Sequence, residues 1–283
     1  MRNIIVCNTD NDSLTRINID RMSVDTLPLK LGGEKIGPIS IDVKGERGVI
    51  ANCYSDSITF INTRKFIEEN NFLIGKYPND IKWRDDYIYV TCGDSNSLII
   101  FNEKEKRIDF EIKVGDYPNS ISIDSEKKYV YVSNMNSNSI TIIDNETKKV
   151  EREIYLKNSP TKIYLSKDKK NIYVCENTFE ENMEGMLKIY SLNDFSLLNE
   201  YNIGAFPIDI FEKDGFVYSA NFGDGSIRVV NLKNKDSYKF ILGGMPREIL
   251  KIDENIIVSD YYSGRIFIID ENTMHKKIIA LGN

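Results

Sequence analysis

The residue types able to do chemistry in this chain gather around one recurring proline. Immediately before it stand Gly37, Tyr77, Tyr117, Ser159, Phe206 and Met245. Just after it come Ile39, Asn79, Asn119, Thr161, Ile208 and Arg247, followed by Ser40, Asp80, Ser120, Lys162, Asp209 and Glu248. Aromatic surface, two amides, three carboxylates, one lysine and one arginine thus fall at one repeated place. Apolar walls carrying a few polar groups are the makings of a ligand pocket. The candidate ligand-binding set is therefore Tyr77, Asn79, Asp80, Tyr117, Asn119, Lys162, Phe206, Asp209, Met245, Arg247 and Glu248. Packing is the other use of the same side chains, with rings pressed on a neighbouring element and charges left in water.

Catalytic chemistry has less to stand on. A pair such as Asp80 with Asp209 could act as acid and base or hold a metal, given a suitable separation. The only histidine, His275, falls near the last strand, away from the proline positions, so a Ser-His-Asp or Cys-His arrangement there is not expected. No nucleophile-elbow, zinc-protease, phosphate-loop or dinucleotide motif occurs in a usable context. Cys7, Cys53, Cys92 and Cys175 lie in four different repeats with no C-x-x-C spacing, which reads as small, partly buried thiols rather than a disulfide or a zinc site. Asp10 and Asp12 share the acidic spacing of a calcium loop but lack its glycine and closing glutamate. No cofactor is expected, a divalent cation at the proline positions or in a loop being the one exception left open.

The elements that must position these residues are strands. Within residues 115–157 the runs ISID, YVYVSN and SITIID alternate apolar and polar residues and are rich in Ile, Val, Tyr and Thr, the pattern of half-buried strands. A fourth run, EREIYL, follows the Asn-Glu-Thr turn. Four antiparallel strands make one sheet, and a sheet with two apolar faces needs a copy of itself on each side. The copies are found from the proline column, Pro38, Pro78, Pro118, Pro160, Pro207 and Pro246, with gaps of 40, 40, 42, 47 and 39 residues. Three residues after each proline comes isoleucine, at 41, 81, 121, 163, 210 and 249, where an innermost strand would press on the next sheet. Units of this length and strand number predict an all-β, seven-bladed β-propeller of four-stranded antiparallel blades, with a solenoid as the alternative.

The segments YVYVSNMNSNSITIID (129–144) and YIYVTCGDSNSLIIFN (87–102), each preceded by a Gly-x-x-Pro turn at Gly115 and Gly75, resemble the YVTN-repeat (YncE-like) β-propellers, relatives of the NHL-type and WD-type repeats. The resemblance covers essentially the whole chain. It implies the fold strongly and the function weakly, since such propellers include binding modules and lyase-like enzymes. Some relatives are associated with DNA. With 37 basic and 43 acidic residues, a net charge of −6, and segments such as EKEKR (103–107) alternating in sign, this chain has no basic stripe, so no nucleic-acid partner is expected.

The uniform repeat predicts a single domain over residues 1–283, with repeats near 1–30, 31–74, 75–114, 115–156, 157–203, 204–242 and 243–283. Residues 3–30 supply only three strands of a first repeat. One blade is therefore expected to be a strand short, or else to be closed by both termini lying together. The start, MRNIIVC, runs directly into a strand, and no run of 18 apolar residues occurs, so targeting and membrane segments are not expected and the location expected is cytoplasmic. The loops NTDNDS, NCYSDS, CGDSNS, NMNSNS, NFGDGS and DYYSGR read first as turn formers. The fifth repeat stretches this segment to ENTFEENMEGM (176–186), a place for a binding contact or a tolerated insertion. The sequence favours a non-catalytic binding or scaffolding module, with an unidentified protein or small molecule as partner. The alternative is a lyase or lactonase with carboxylates and a metal at the channel mouth.

Overall fold

The computed structural model describes residues 2–124, 126, 128–178 and 184–281. Its contacts divide the chain into two compact units, Met1–Tyr155 and Leu156–Asn283. In the first unit, sheet one holds β1 (Asn3–Asn8), β2 (Ser13–Asn18) and β3 (Ser23–Pro28), and sheet two holds β4 (Pro38–Lys44), β5 (Arg47–Asn52), β6 (Ser57–Asn62) and β7 (Ile67–Leu73). Sheet three holds β8 (Pro78–Arg84), β9 (Tyr87–Cys92), β10 (Ser97–Asn102) and β11 (Arg107–Lys113), and sheet four holds β12 (Pro118–Ile123), β13 (Tyr129–Asn134), β14 (Ser139–Asp144) and β15 (Lys149–Tyr155). In the second unit, sheet five holds β16 (Ser159–Leu165), β17 (Asn171–Asn177), β18 (Glu184–Ser191) and β19 (Leu197–Ala205). Sheet six holds β20 (Pro207–Lys213), β21 (Phe216–Asn221), β22 (Ser226–Asn231) and β23 (Ser237–Ile241), and sheet seven holds β24 (Pro246–Ile252), β25 (Asn255–Asp260), β26 (Arg265–Asp270) and β27 (Lys276–Ala280). Every sheet is an antiparallel meander of consecutive strands, and together they are the blades of an all-β, seven-bladed propeller.

The first blade is the short one. Among the described residues it consists of β1, β2 and β3, while β27 pairs with β26 in the seventh, so of the two expected arrangements the blade one strand short is the one found. The fifth-repeat insertion is also smaller than its sequence suggests. β17 runs on to Asn177 and β18 begins at Glu184, so both strands continue into ENTFEENMEGM, and its residues 179–183 lie outside the described residues.

The middle strands of each blade are buried on both faces, as β9 and β10 show from Ile88 to Phe101, because alternate side chains enter the cores on either side. Between the second and third blades, Val49, Ala51, Ile58 and Phe60 meet Ile81, Trp83, Ile88, Val90 and Phe101. Phe60 is fully buried there, edge-on to Phe72 and Trp83 with ring centroids 5.9 and 5.8 Å away. The outer strands β7, β11 and β15 are mostly exposed and carry Glu, Lys and Arg, which keeps their unpaired edges from templating other strands.

One polar device recurs within the blades. The asparagine ending β5 donates to Ser57 and Thr59 across the hairpin at 3.0 and 2.8 Å, and Asn134 does the same to Ser139 and Thr141. The fifth blade replaces the amide with Glu176, which stands opposite Pro160 as Asn52 stands opposite Pro38. The Glu176 carboxylate is wholly buried and takes Lys188 Nζ at 2.8 Å and the Tyr190 hydroxyl at 2.6 Å. Burial, and then the bond to Glu176, push the Tyr190 phenol far above its usual pKa.

Removing the Phe60 ring takes the centre out of the aromatic core between the second and third blades. Phe60→Ala is expected to cost about 3–5 kcal/mol, read as a lowered urea midpoint with an unchanged slope.

Candidate functional site

The geometry at the proline positions begins with what proline lacks. Without an N–H it cannot complete the ladder, and in each of the six inner strands the pairing register slips just after it, as between Pro38 and Ser40 and between Pro78 and Asp80. The residue on the slip is released from the ladder, and in the third and fifth blades its side chain reaches the next blade. Asn79 Nδ2 donates to the carbonyl of Pro118 at 2.9 Å while its Oδ1 accepts from Thr91 at 2.7 Å. Thr161 donates to the Pro207 carbonyl, and Asn119 accepts from the Ser133 hydroxyl at 3.0 Å.

One residue further on, the carboxylates are also engaged. Asp80, 4 % exposed, accepts the N–H of Ile121 on the fourth blade at 2.9 Å, the N–H of Ile81 at 2.9 Å and the Ser40 hydroxyl of the second blade at 3.1 Å. It thereby spans three blades. In the second unit Asp209 accepts the N–H of Ile249 at 3.0 Å and stands 3.3 Å from Lys162 Nζ. Glu248 is exposed, and its N–H donates to Ser259.

The loops at this end of the blades act as clamps. Asp12 accepts the N–H groups of Ile36 and Gly37, Asp56 that of Tyr77, and Asn96 that of Tyr117, each from the segment leading into the following blade at 2.8–2.9 Å. That bonding accounts for Asp12, whose neighbour Asp10 takes the Tyr54 hydroxyl at 3.3 Å. The residue before the proline is held from the other side as well. Its carbonyl accepts the first loop N–H of its own blade: Gly93 to Tyr77, Met135 to Tyr117, Phe222 to Phe206 and Tyr261 to Met245, at 2.9–3.0 Å. The result is a left-handed backbone at Tyr77, Tyr117 and Phe206, with φ of 53°, 51° and 50°. Gly37 occupies the same place at 67° without penalty, whereas a side chain there costs roughly 1–2 kcal/mol.

In the first unit this brings Tyr77 and Tyr117 together, with ring centroids 6.0 Å apart and planes tilted by 38°. Both are half-buried. Gly93 makes room for the pair, since a Cβ there would stand 3.1 Å from both the Asn79 amide and the Tyr117 ring. Burial, followed by the neighbouring Tyr77 phenol, pushes the Tyr117 phenol far above its usual range.

In the second unit a longer cluster forms. Phe206 meets Phe222 at 6.3 Å, Phe222 meets Tyr261 at 6.0 Å, and the guanidinium of Arg247 lies 5.2 Å over the Tyr261 ring. Met245 and Tyr261 are partly exposed, and Tyr262 is 80 % exposed beside them in sequence. Of the predicted residues, then, Phe206, Met245 and Arg247 gather on this patch. Asn79, Asp80, Asn119, Lys162 and Asp209 are turned to bonds within and between blades. Phe222, Tyr261 and Tyr262 were missed because they sit inside NFGDGS and DYYSGR, and rings in loops otherwise made of turn formers were the available signal.

Among the described residues, no group of three or more His, Cys, Asp or Glu is placed to hold a metal. Among the same residues no helix is long and apolar enough to cross a membrane. The likeness is one of fold. Virginiamycin B lyase from Staphylococcus aureus superposes with a TM-score of 0.75 at 17 % identity over 90 % of this chain and 88 % of that one. Hydrazine synthase from Kuenenia stuttgartiensis gives 0.75 at 18 % identity over 86 % and 80 %, and the Pan2 WD40 domain of Neurospora crassa 0.71 at 14 % over 88 % and 80 %. No family profile and no curated protein matches the chain.

Two outcomes follow from these environments. Asp80→Ala strands two buried N–H groups and is expected to cost about 3 kcal/mol, lowering Tm by roughly 6–10 °C. A variant melting within about 1 °C of the parent would remove the bridging role. Burial pushes the Cys92 thiol up to about 12 and the Cys175 thiol well above its usual value, so both are protonated at pH 8. Iodoacetamide at that pH should spare Cys92 and Cys175 in the folded protein and modify both in denaturant, as read by peptide mass mapping.

Proposed function

We propose that this chain is a non-catalytic binding or scaffolding propeller that takes its ligand or partner at the ends of the blades bearing the proline turns. The observation that carries the reading is Arg247. Its guanidinium is stacked on Tyr261, and among the described residues it makes no ion pair. An arginine with unused donors, lying on an aromatic face and continued by Phe222 and Phe206, offers an apolar platform with an anion receptor at its edge. Aromatic and arginine side chains of this kind dominate the energetics of binding surfaces. The left-handed backbone at Tyr77, Tyr117 and Phe206 supports the same reading, because large rings are kept where glycine would be easier.

A lyase or lactonase would need groups able to hold a metal or move a proton. Asp80 and Asp209 already accept backbone N–H groups, and Asp209 also faces Lys162. His275 is exposed in the turn between β26 and β27, at the other end of its blade from the Tyr261 loop. Enzymes among the structural neighbours support the fold and not the activity. The reading carries no cofactor, and the net charge of −6 gives nucleic acid no attraction.

The test is saturation-transfer NMR with a panel of aromatic carboxylates, namely benzoate, phenylpropionate and indole-3-acetate. At least one should bind saturably and lose tenfold or more in affinity in both Arg247→Ala and Tyr261→Ala, with each variant melting within about 2 °C of the parent. Absence of binding across the panel, or binding indifferent to both substitutions, would sink the reading.

A further inference from the structure

Each blade sets one pair of side chains diagonally across its central hairpin, as Asn52 stands opposite Ser57 and bonds Thr59 two residues further on. Alternation puts both members on one face of the sheet. In the first, second and fourth blades the pair is an amide with a threonine hydroxyl, bonded at 2.8 Å. The third blade has Cys92 with Ile99, and the seventh has Asp260 with Phe267, the carboxylate there accepting the N–H groups of Met245 and Tyr262. In the fifth, the Lys188 ammonium is matched by the Glu176 carboxylate at 2.8 Å, and both are buried.

The sixth blade sets a cation against a neutral partner, Arg228 against Asn221. The Asn221 amide is already used, its Oδ1 accepting from Ser219 and its Nδ2 donating to Ser226, each at 3.0 Å. Among the described residues Arg228 makes no ion pair, and its one hydrogen bond runs from Nη1 to the Ser237 hydroxyl at 3.1 Å. Its Nε is buried without an acceptor. The carboxylates of the adjoining turns are engaged elsewhere: Asp224 takes Lys239, Ser226 and the N–H of Ala205, and Asp236 takes the Asn234 amide.

Donors surround the guanidinium. Lys239 lies directly across the ladder from Arg228, and Ser237, two residues before it, is on the same face of β23. Both are exposed, and Arg228 itself is half-buried, so the group lies at the surface of the blade. Ser237 accepts from Arg228 and so has its own O–H to give, and Lys239 gives one N–H to Asp224 and keeps two.

We propose that Arg228, Ser237 and Lys239 form a seat for a small oxyanion, a carboxylate or phosphate group, on the outer half of the sixth blade. The flat fork of a guanidinium matches the paired oxygens of such a group. Its binding supplies Arg228 with the negative charge that Glu176 supplies to Lys188, and an unmet donor gains from any acceptor that reaches it. The seat is separate from the Arg247 platform, since Arg228 lies in the middle of β22 and Arg247 at the start of β24.

The test is equilibrium dialysis of radiolabelled phosphate and of radiolabelled acetate, at an ionic strength fixed with sodium chloride, against the full chain carrying Arg247→Ala. In that background the platform contributes nothing. At least one of the two anions should bind saturably, one per chain, and which one binds tells phosphate from carboxylate. Adding Arg228→Gln should weaken uptake tenfold or more, and adding Arg228→Lys at least threefold, because lysine keeps the charge and loses the fork. In the parent protein with isotope-labelled arginine, the Arg228 Nε–H signal, identified by its loss in Arg228→Lys, should shift saturably with the same anion and not with chloride. That signal decides if the substituted chains fail to fold. No saturable uptake of either anion, uptake indifferent to Arg228→Gln, or an Arg228 signal that responds equally to chloride would overturn the proposal, and none of these touches the reading of Arg247.

Discussion

A blade of this protein is apolar on both faces, so no blade is stable with water on either side. That requirement explains why a short sequence theme is written repeatedly, and why the polar atoms at the proline turns are spent on neighbours. Proline withholds one N–H, the register slips, and the freed residue bonds the next proline's carbonyl, as Asn79 and Thr161 do. Asp80 extends the same logic over three blades. Hydrophobic burial holds the blades together without direction, and these bonds fix their alignment.

The candidate surface is what remains after those bonds are made. Tyr77, Tyr117, Phe206 and Met245 have their backbone clamped by loop N–H groups, which leaves the side chains beside the loops. In the first unit Tyr77 and Tyr117 are preorganised, because each ring sits on a backbone bonded from two sides. Preorganisation lowers the ordering cost of binding and does not by itself choose a ligand. Propellers of very different activity share this scaffold.

The strands and their grouping were legible because a half-buried strand must alternate and a two-faced blade must recur; Pro38 to Pro246 and the six isoleucines located every inner strand. The direction taken by polar side chains was not legible. Asp80 and Asp209 are as compatible with a ligand site as with an interior bond until the register slip beside them is known. Phe222 and Tyr261 were hidden for a related reason, since a loop of Asn, Asp, Ser and Gly accounts for itself as a turn. The replacement of an amide by Glu176, matched by Lys188 and Tyr190 on the adjoining strand, depends on a cross-strand pairing that one-dimensional reading does not supply.

That each sheet is a meander of consecutive strands also bears on how the chain acquires its structure. A blade closes with loops of a few residues, so its loop-closure entropy is small and its contacts are local for an all-β protein. Growth along the chain can then proceed blade by blade during synthesis, each new hairpin finding a finished template behind it. The outermost strand completes each blade last, and in the third and fourth blades it is also the most charged, so there the edge waiting longest for a partner is the one least able to attract a wrong one.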